Sequence, residues 1–217
     1  MTGRCVREAI STTIMVAVAV TLLALRLHDR ARVPRQVGSA QIFVDDWQDW
    51  SNSAIRMGVG DARMVVATFM DFTCPFCRDL VPVLDSLRTE FGERVAIEFH
   101  FFPLFGHQHA GPAAAAADCA HDQGFFYEMY HALFTQADSF GTKPWGVLAT
   151  EAGVPDVEKF GKCIRKSPKT FDRIYAGKEL GRRIGVNGTP EVWVNGQLFL
   201  GRNLAAFRDR ARELGLH

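Results

Sequence analysis

The stretch Met64–Phe91 reads MVVATFMDFTCPFCRDLVPVLDSLRTEF, and its period changes half-way along. Met64 to Phe69 is a short apolar run rich in Val and Thr, the composition of a buried strand. Beyond the cysteines, Leu80, Val83, Leu84, Leu87 and Phe91 recur at helical spacing, and Gly92 stands where a helix stops. A strand therefore runs into a helix, with Cys74 and Cys77 at the junction. Positions three apart on a helix face the same way, so the two sulfurs can close a small ring, as a redox-active pair must. Pro75 suits the first helical turn, where its missing N–H leaves no bond unmade. Cys74 then lies at the positive end of the helix, where free backbone N–H groups favour a thiolate. Lowering a thiol pKa from about 8.5 to about 7 takes roughly 2 kcal/mol, and a helix terminus gives about 0.3 to 1. Hydrogen bonds to the sulfur must supply the rest, and the Phe76 side chain has no donor to offer.

A single Cys-x-x-Cys also reads as half of a structural zinc site, which needs two further Cys or His ligands. Cys5, Cys119 and Cys163 are isolated in the sequence, while His107 and His109 read as helix-start or core residues. The redox reading is therefore preferred. It calls for no metal and for no cofactor beyond the Cys74-Cys77 disulfide itself.

Outward from the junction, a second strand runs from Val95 to Phe102 and is closed by Pro103. From His107 to about Arg183 the pattern is helical: the Ala113–Ala117 run, then Phe125–Phe134, Trp145–Ala152 and Val157–Ile184 with interruptions. The strand signature returns at Val192-Trp193-Val194, the turn pair Asn195-Gly196 follows, and Gln197–Leu200 completes a hairpin. Asn203–Leu214 forms a last helix. This order predicts an α/β domain over residues 61–217, with a helical lobe inserted at about 105–184. Residues 28–60 are polar and irregular and read as a linker and short lead-in.

Residues 1–27 read as an N-terminal anchor helix. The segment 9–25 carries no charge, and at about 1.5 Å per residue it is roughly 26 Å long, close to a bilayer core. A cleaved signal peptide is the rival, but its nearest small-residue site, Gly38-Ser39-Ala40, lies too far downstream. Arg26, Arg30, Arg32 and Arg35 outnumber Arg4 and Arg7, which by itself would keep the following domain in the cytoplasm. Lys plus Arg at 25 nearly cancels Asp plus Glu at 24, so no basic face suggests nucleic acid. With 47% hydrophobic residues the chain can bury a sizeable core.

Taken in order, Asp71-Phe72-Thr73-Cys74-Pro75-Phe76-Cys77, Phe102-Pro103-Leu104 with His107 and Ala110, Asp118-Cys119-Ala120 with Gln123-Gly124-Phe125-Phe126, Gly188-Thr189-Pro190 and Val194-Asn195-Gly196 form a pattern. It resembles the DsbA-like thioredoxin-fold thiol:disulfide oxidoreductases of bacterial envelopes, over about residues 60–215. The resemblance implies a thioredoxin fold with a helical insertion. It also implies Cys74 as attacking nucleophile, Cys77 as resolving cysteine and Thr189-Pro190 as a cis-proline loop that pairs with an extended substrate peptide. The implied partners are reduced cysteine-containing exported proteins and a quinone-linked membrane thiol oxidase that restores the disulfide. Many relatives carry a buried acid six positions before the first cysteine, as a proton relay. Here that position is Thr68, and Glu98 or His100 on the next strand is expected to substitute. Relatives with a second bridge exist, which implies a structural disulfide between Cys119 and Cys163. Such a bridge places the domain on the extracytoplasmic side of the cell membrane, against the arginine count. Asn187-Gly188-Thr189 also fits a glycosylation sequon, though the loop reading explains it better. Disulfide formation is the preferred activity. Reduction or isomerisation by the same exchange is the alternative, and a non-catalytic peptide-binding module is the alternative of another class.

Overall fold

The computed structural model describes residues 42–165 and 171–217. Its sheet is built from β1 (Ile55–Met57), β2 (Met64–Met70), β3 (Val95–Phe101), β4 (Glu191–Val194) and β5 (Gln197–Phe199), in the order β1-β3-β2-β4-β5. The central pair β2 and β3 is parallel and the other neighbours are antiparallel. A parallel pair needs a crossover, and α1 (Pro75–Phe91) supplies it. Between β3 and β4 the chain makes α2 (Ala110–His121), α3 (Phe126–Thr135), α4 (Trp145–Glu151), α5 (Val157–Ile164) and α6 (Asp172–Ile184); α7 (Leu204–Glu213) follows the hairpin. The insertion thus falls within the stretch expected for it, and the hairpin turns on Asn195-Gly196, both at positive φ.

Every residue of β2 and β3 is buried, because both faces of the sheet are covered. On one face Met64, Val66, Met70, Ile97, Phe99 and Phe101 pack under α1 and the inserted helices. On the other, Ala67, Phe69, Phe102 and Trp193 pack against Trp50 and against Leu180 and Ile184 of α6. Helix α6 comes so close to β3 that a Cβ on Gly177 would stand 2.7 Å from the Phe101 carbonyl oxygen.

The domain starts earlier than expected. Within the supposed linker and lead-in, β1 pairs with the edge of β3, Trp47–Ser53 forms a 3-10 turn, and Phe43 bridges to Gln197. A three-residue strand shows no alternation of its own, and its bonding partners lie some forty residues on. The expected anchor at 1–27 lies outside the described residues. Among the described residues no helix is long and apolar enough to cross a membrane.

Candidate active site

Cys74 caps the N-terminus of α1 in extended conformation, and Pro75 is the first helical residue. Pairing of β2 with β4 sets Phe69 opposite Glu191, so the residues just before β4 arrive beside those just after β2. This register brings Thr189 and Pro190, joined by a cis peptide bond, to the cysteines. The Cys74 thiol donates to the Thr189 carbonyl at 3.3 Å.

The two sulfurs differ sharply in acidity. The Cys77 thiol donates to Cys74 and is foremost in drawing the Cys74 pKa down to about 5; the Thr189 hydroxyl and the backbone N–H groups of Cys77 and Phe76 act the same way, against burial. The Thr189 hydroxyl is buried and makes no hydrogen bond among the described residues, so a thiolate at Cys74 would give it an acceptor. Burial, foremost, and donation to Cys74 push Cys77 far up. The Phe76 side chain projects into solvent, 62% exposed, and its contribution comes only through the main chain.

Around this pair lies a network whose residues stand in the quoted sequence pattern, although no site role was read for them. The fully buried Asp71 carboxylate accepts from the Thr73 N–H and hydroxyl through Oδ1, at 2.8 and 2.6 Å. Its Oδ2 accepts from the Leu104 N–H at 2.9 Å and meets His107 Nδ1 at 2.8 Å. The Asp71 N–H points at Cys77 Sγ, 3.5 Å away. An Asp two residues before a Thr is a turn signature, and that was the available signal.

Glu98 and His100 do not take the expected place. Alternation along β3 turns both away from the face that holds Cys77. His100 stacks on Phe69 of the opposite cluster, at 4.7 Å between ring centres, and Glu98 pairs with Arg56 of β1 and accepts from Ser51. Burial lowers the His100 pKa to about 3, so the ring is neutral. Thr68, six positions before Cys74, is buried and donates to the Glu98 carbonyl at 3.2 Å. Cys119 and Cys163 form a disulfide that ties α2 to α5. Among the described residues no group of three or more His, Cys, Asp and Glu is placed to hold a metal ion.

Residues 51–208 match the thioredoxin family. The chain belongs to the thioredoxin family. Relatives in sequence include a probable disulfide bond formation protein D of Bacillus anthracis, 29% identical over 65% of this chain and 70% of that protein. A Na(+)/H(+) antiporter NhaA 1 of Mycolicibacterium gilvum is 35% identical over 73% of this chain. The chain spans only 26% of that antiporter's length, and 34% of its counterpart in Mycolicibacterium vanbaalenii. In structure, BdbD of Bacillus subtilis aligns with a TM-score of 0.66 at 18% identity, over 75% of this chain and 93% of BdbD. The thiol-disulfide exchange protein alpha-DsbA2 of Wolbachia pipientis aligns at 0.69 and 19% identity, over 88% of this chain and 98% of its own. For this chain of the thioredoxin family the structural likenesses establish the fold.

Proposed function

We propose that the protein is an oxidase that forms disulfides in exported proteins. A substrate thiolate attacks Cys74 Sγ of the Cys74-Cys77 disulfide, a mixed disulfide forms, and the Cys74–Cys77 bond breaks with its electron pair ending on Cys77 Sγ. A second substrate thiolate then takes the disulfide, and Cys74 departs. The observation that carries this reading is the Cys74 thiolate, held at a pKa of about 5 by four donors. Stabilising the thiolate stabilises the reduced protein, and a stabilised reduced form makes the disulfide an oxidant. Substrate would lie as an extended peptide in the groove beside Thr189 and Pro190, which Asn187, Gly188, Leu200 and Arg202 also line.

Reoxidation is assigned to a quinone-linked membrane thiol oxidase. An anchor over residues 9–25 would keep the domain near it, on the extracytoplasmic side, where the Cys119–Cys163 disulfide would persist. Equilibration with glutathione redox buffers tests the direction. With no side-chain donor from Phe76, the potential should fall between about −270 mV, as in thioredoxin, and about −120 mV, as in the strongest oxidants. A potential at or below the first value would make the protein a reductase. A wild-type protein that promotes substrate oxidation no better than a Cys74→Ser variant would instead leave a binding module.

A further inference from the structure

Asp71 directly follows β2, three residues before Cys74, and the exchange steps above leave it without a task. A buried carboxylate is costly unless its oxygens are satisfied, and this one is satisfied by four donors from two segments. Thr73 belongs to the turn that leads into the cysteines, and Leu104 and His107 belong to the loop after β3. The His107 ring also lies 2.9 Å from the Thr73 hydroxyl, which closes the triangle. The main chain of Asp71 is equally committed. Its carbonyl accepts from the Cys74 N–H at 3.1 Å, and its N–H faces Cys77 Sγ at 3.5 Å.

We propose that Asp71, with His107 as its partner, is a positioning residue that aims a backbone N–H at Cys77 Sγ and stabilises the charge developing there during exchange. The inference rests on exchange through Cys74 and Cys77. When substrate thiolate attacks Cys74 Sγ, a new S–S bond forms, the Cys74–Cys77 bond breaks, and its electron pair leaves on Cys77 Sγ. In the reverse step the Cys77 thiolate attacks Cys74 Sγ, and the substrate sulfur leaves with the pair. Both steps place charge on a sulfur that sits in an apolar cluster. A fixed donor is worth more there than in water and needs no reorganisation. The Asp71 N–H, 3.5 Å from Cys77 Sγ, is a main-chain donor separate from the Thr189 hydroxyl.

The test separates the two thiols in time. Reduced full-length protein is mixed with an aromatic disulfide whose released thiolate is coloured; attack by Cys74 gives a first release, and attack by Cys77 on the mixed disulfide gives a second. Asp71→Asn should slow the second release roughly tenfold and leave the first within about twofold. His107→Ala removes one of the four donors from a partly exposed position and should slow the second release by roughly threefold. The ultraviolet titration of the Cys74 thiolate should not move in either variant. Equal slowing of both releases, or an unchanged second release in a folded variant, would overturn the proposal. If Asp71→Asn does not fold, His107→Ala decides by the same criterion. A wild-type protein that gives only the first release would instead overturn the Cys74-Cys77 exchange itself.

Discussion

Cys74 holds its charge at a pH where an ordinary thiol is still protonated, and its side-chain contributors can be removed singly. Alkylation of reduced protein by iodoacetamide should therefore show a midpoint near pH 5. Thr189→Val deletes one donor and should raise that midpoint by about one unit, read from the same rate profile. The sign for stability follows: the depressed thiol stabilises the reduced fold fully above its ordinary value of 9.0, and the gain is lost as pH falls through about 5. Urea unfolding of reduced and oxidised protein across that window reads it. His100 has its folded pKa lowered too, from 6.5 to about 3, so the unfolded imidazole takes its proton first. Stability should be complete above about pH 6.5 and decline by up to about 1.4 kcal/mol per unit below it. His100→Phe should flatten that slope, because a phenyl ring keeps the stack on Phe69 and takes no proton; acid unfolding followed by circular dichroism checks this.

At the scale of elements, the close seat of α6 on β3 depends on Gly177. An Ala there meets a backbone carbonyl rather than a flexible side chain, so helix or strand must shift. Gly177→Ala should cost about 1 to 3 kcal/mol, despite its better helix propensity, measured by chemical denaturation. The period in Met64–Phe91 made β2 and α1 legible. It could not tell which way Glu98 and His100 point, since β3 is buried on both faces and its apolar run has no alternation to read. The hairpin was legible because Asn195-Gly196 is a local signal; β1 was not, because its bonds come from β3.

For the whole molecule, the Cys119–Cys163 bridge joins positions 44 apart and locks α5 onto α2. Arg173 of α6 reaches the same helix, pairing with the buried Asp118 and with Asp122. In the chain-entropy account a loop of that size is worth up to about 4 kcal/mol. The double variant Cys119→Ala with Cys163→Ala should lose about 2 to 4 kcal/mol in urea unfolding under oxidising conditions. Its Cys74 alkylation midpoint should stay near pH 5, because every group that lowers it belongs to the strand-helix junction and the proline loop.

The sequence by itself determined where the cysteine pair sits, since a strand running into a helix at Cys-Pro-Phe-Cys places Cys74 at the helix terminus by local geometry alone. It also determined the succession of β2, α1, β3, helical insertion and hairpin, because each has a period, an apolar run or a turn signal within a few residues. Tertiary structure decided what surrounds the sulfurs. The pairing of β2 with β4 carries Thr189 to Cys74 across a separation of 115 residues. The loop after β3 brings Leu104 and His107 to Asp71. Those contacts shape the surroundings of each thiol, and no local pattern encodes them, because they exist only where distant segments meet in a closed core.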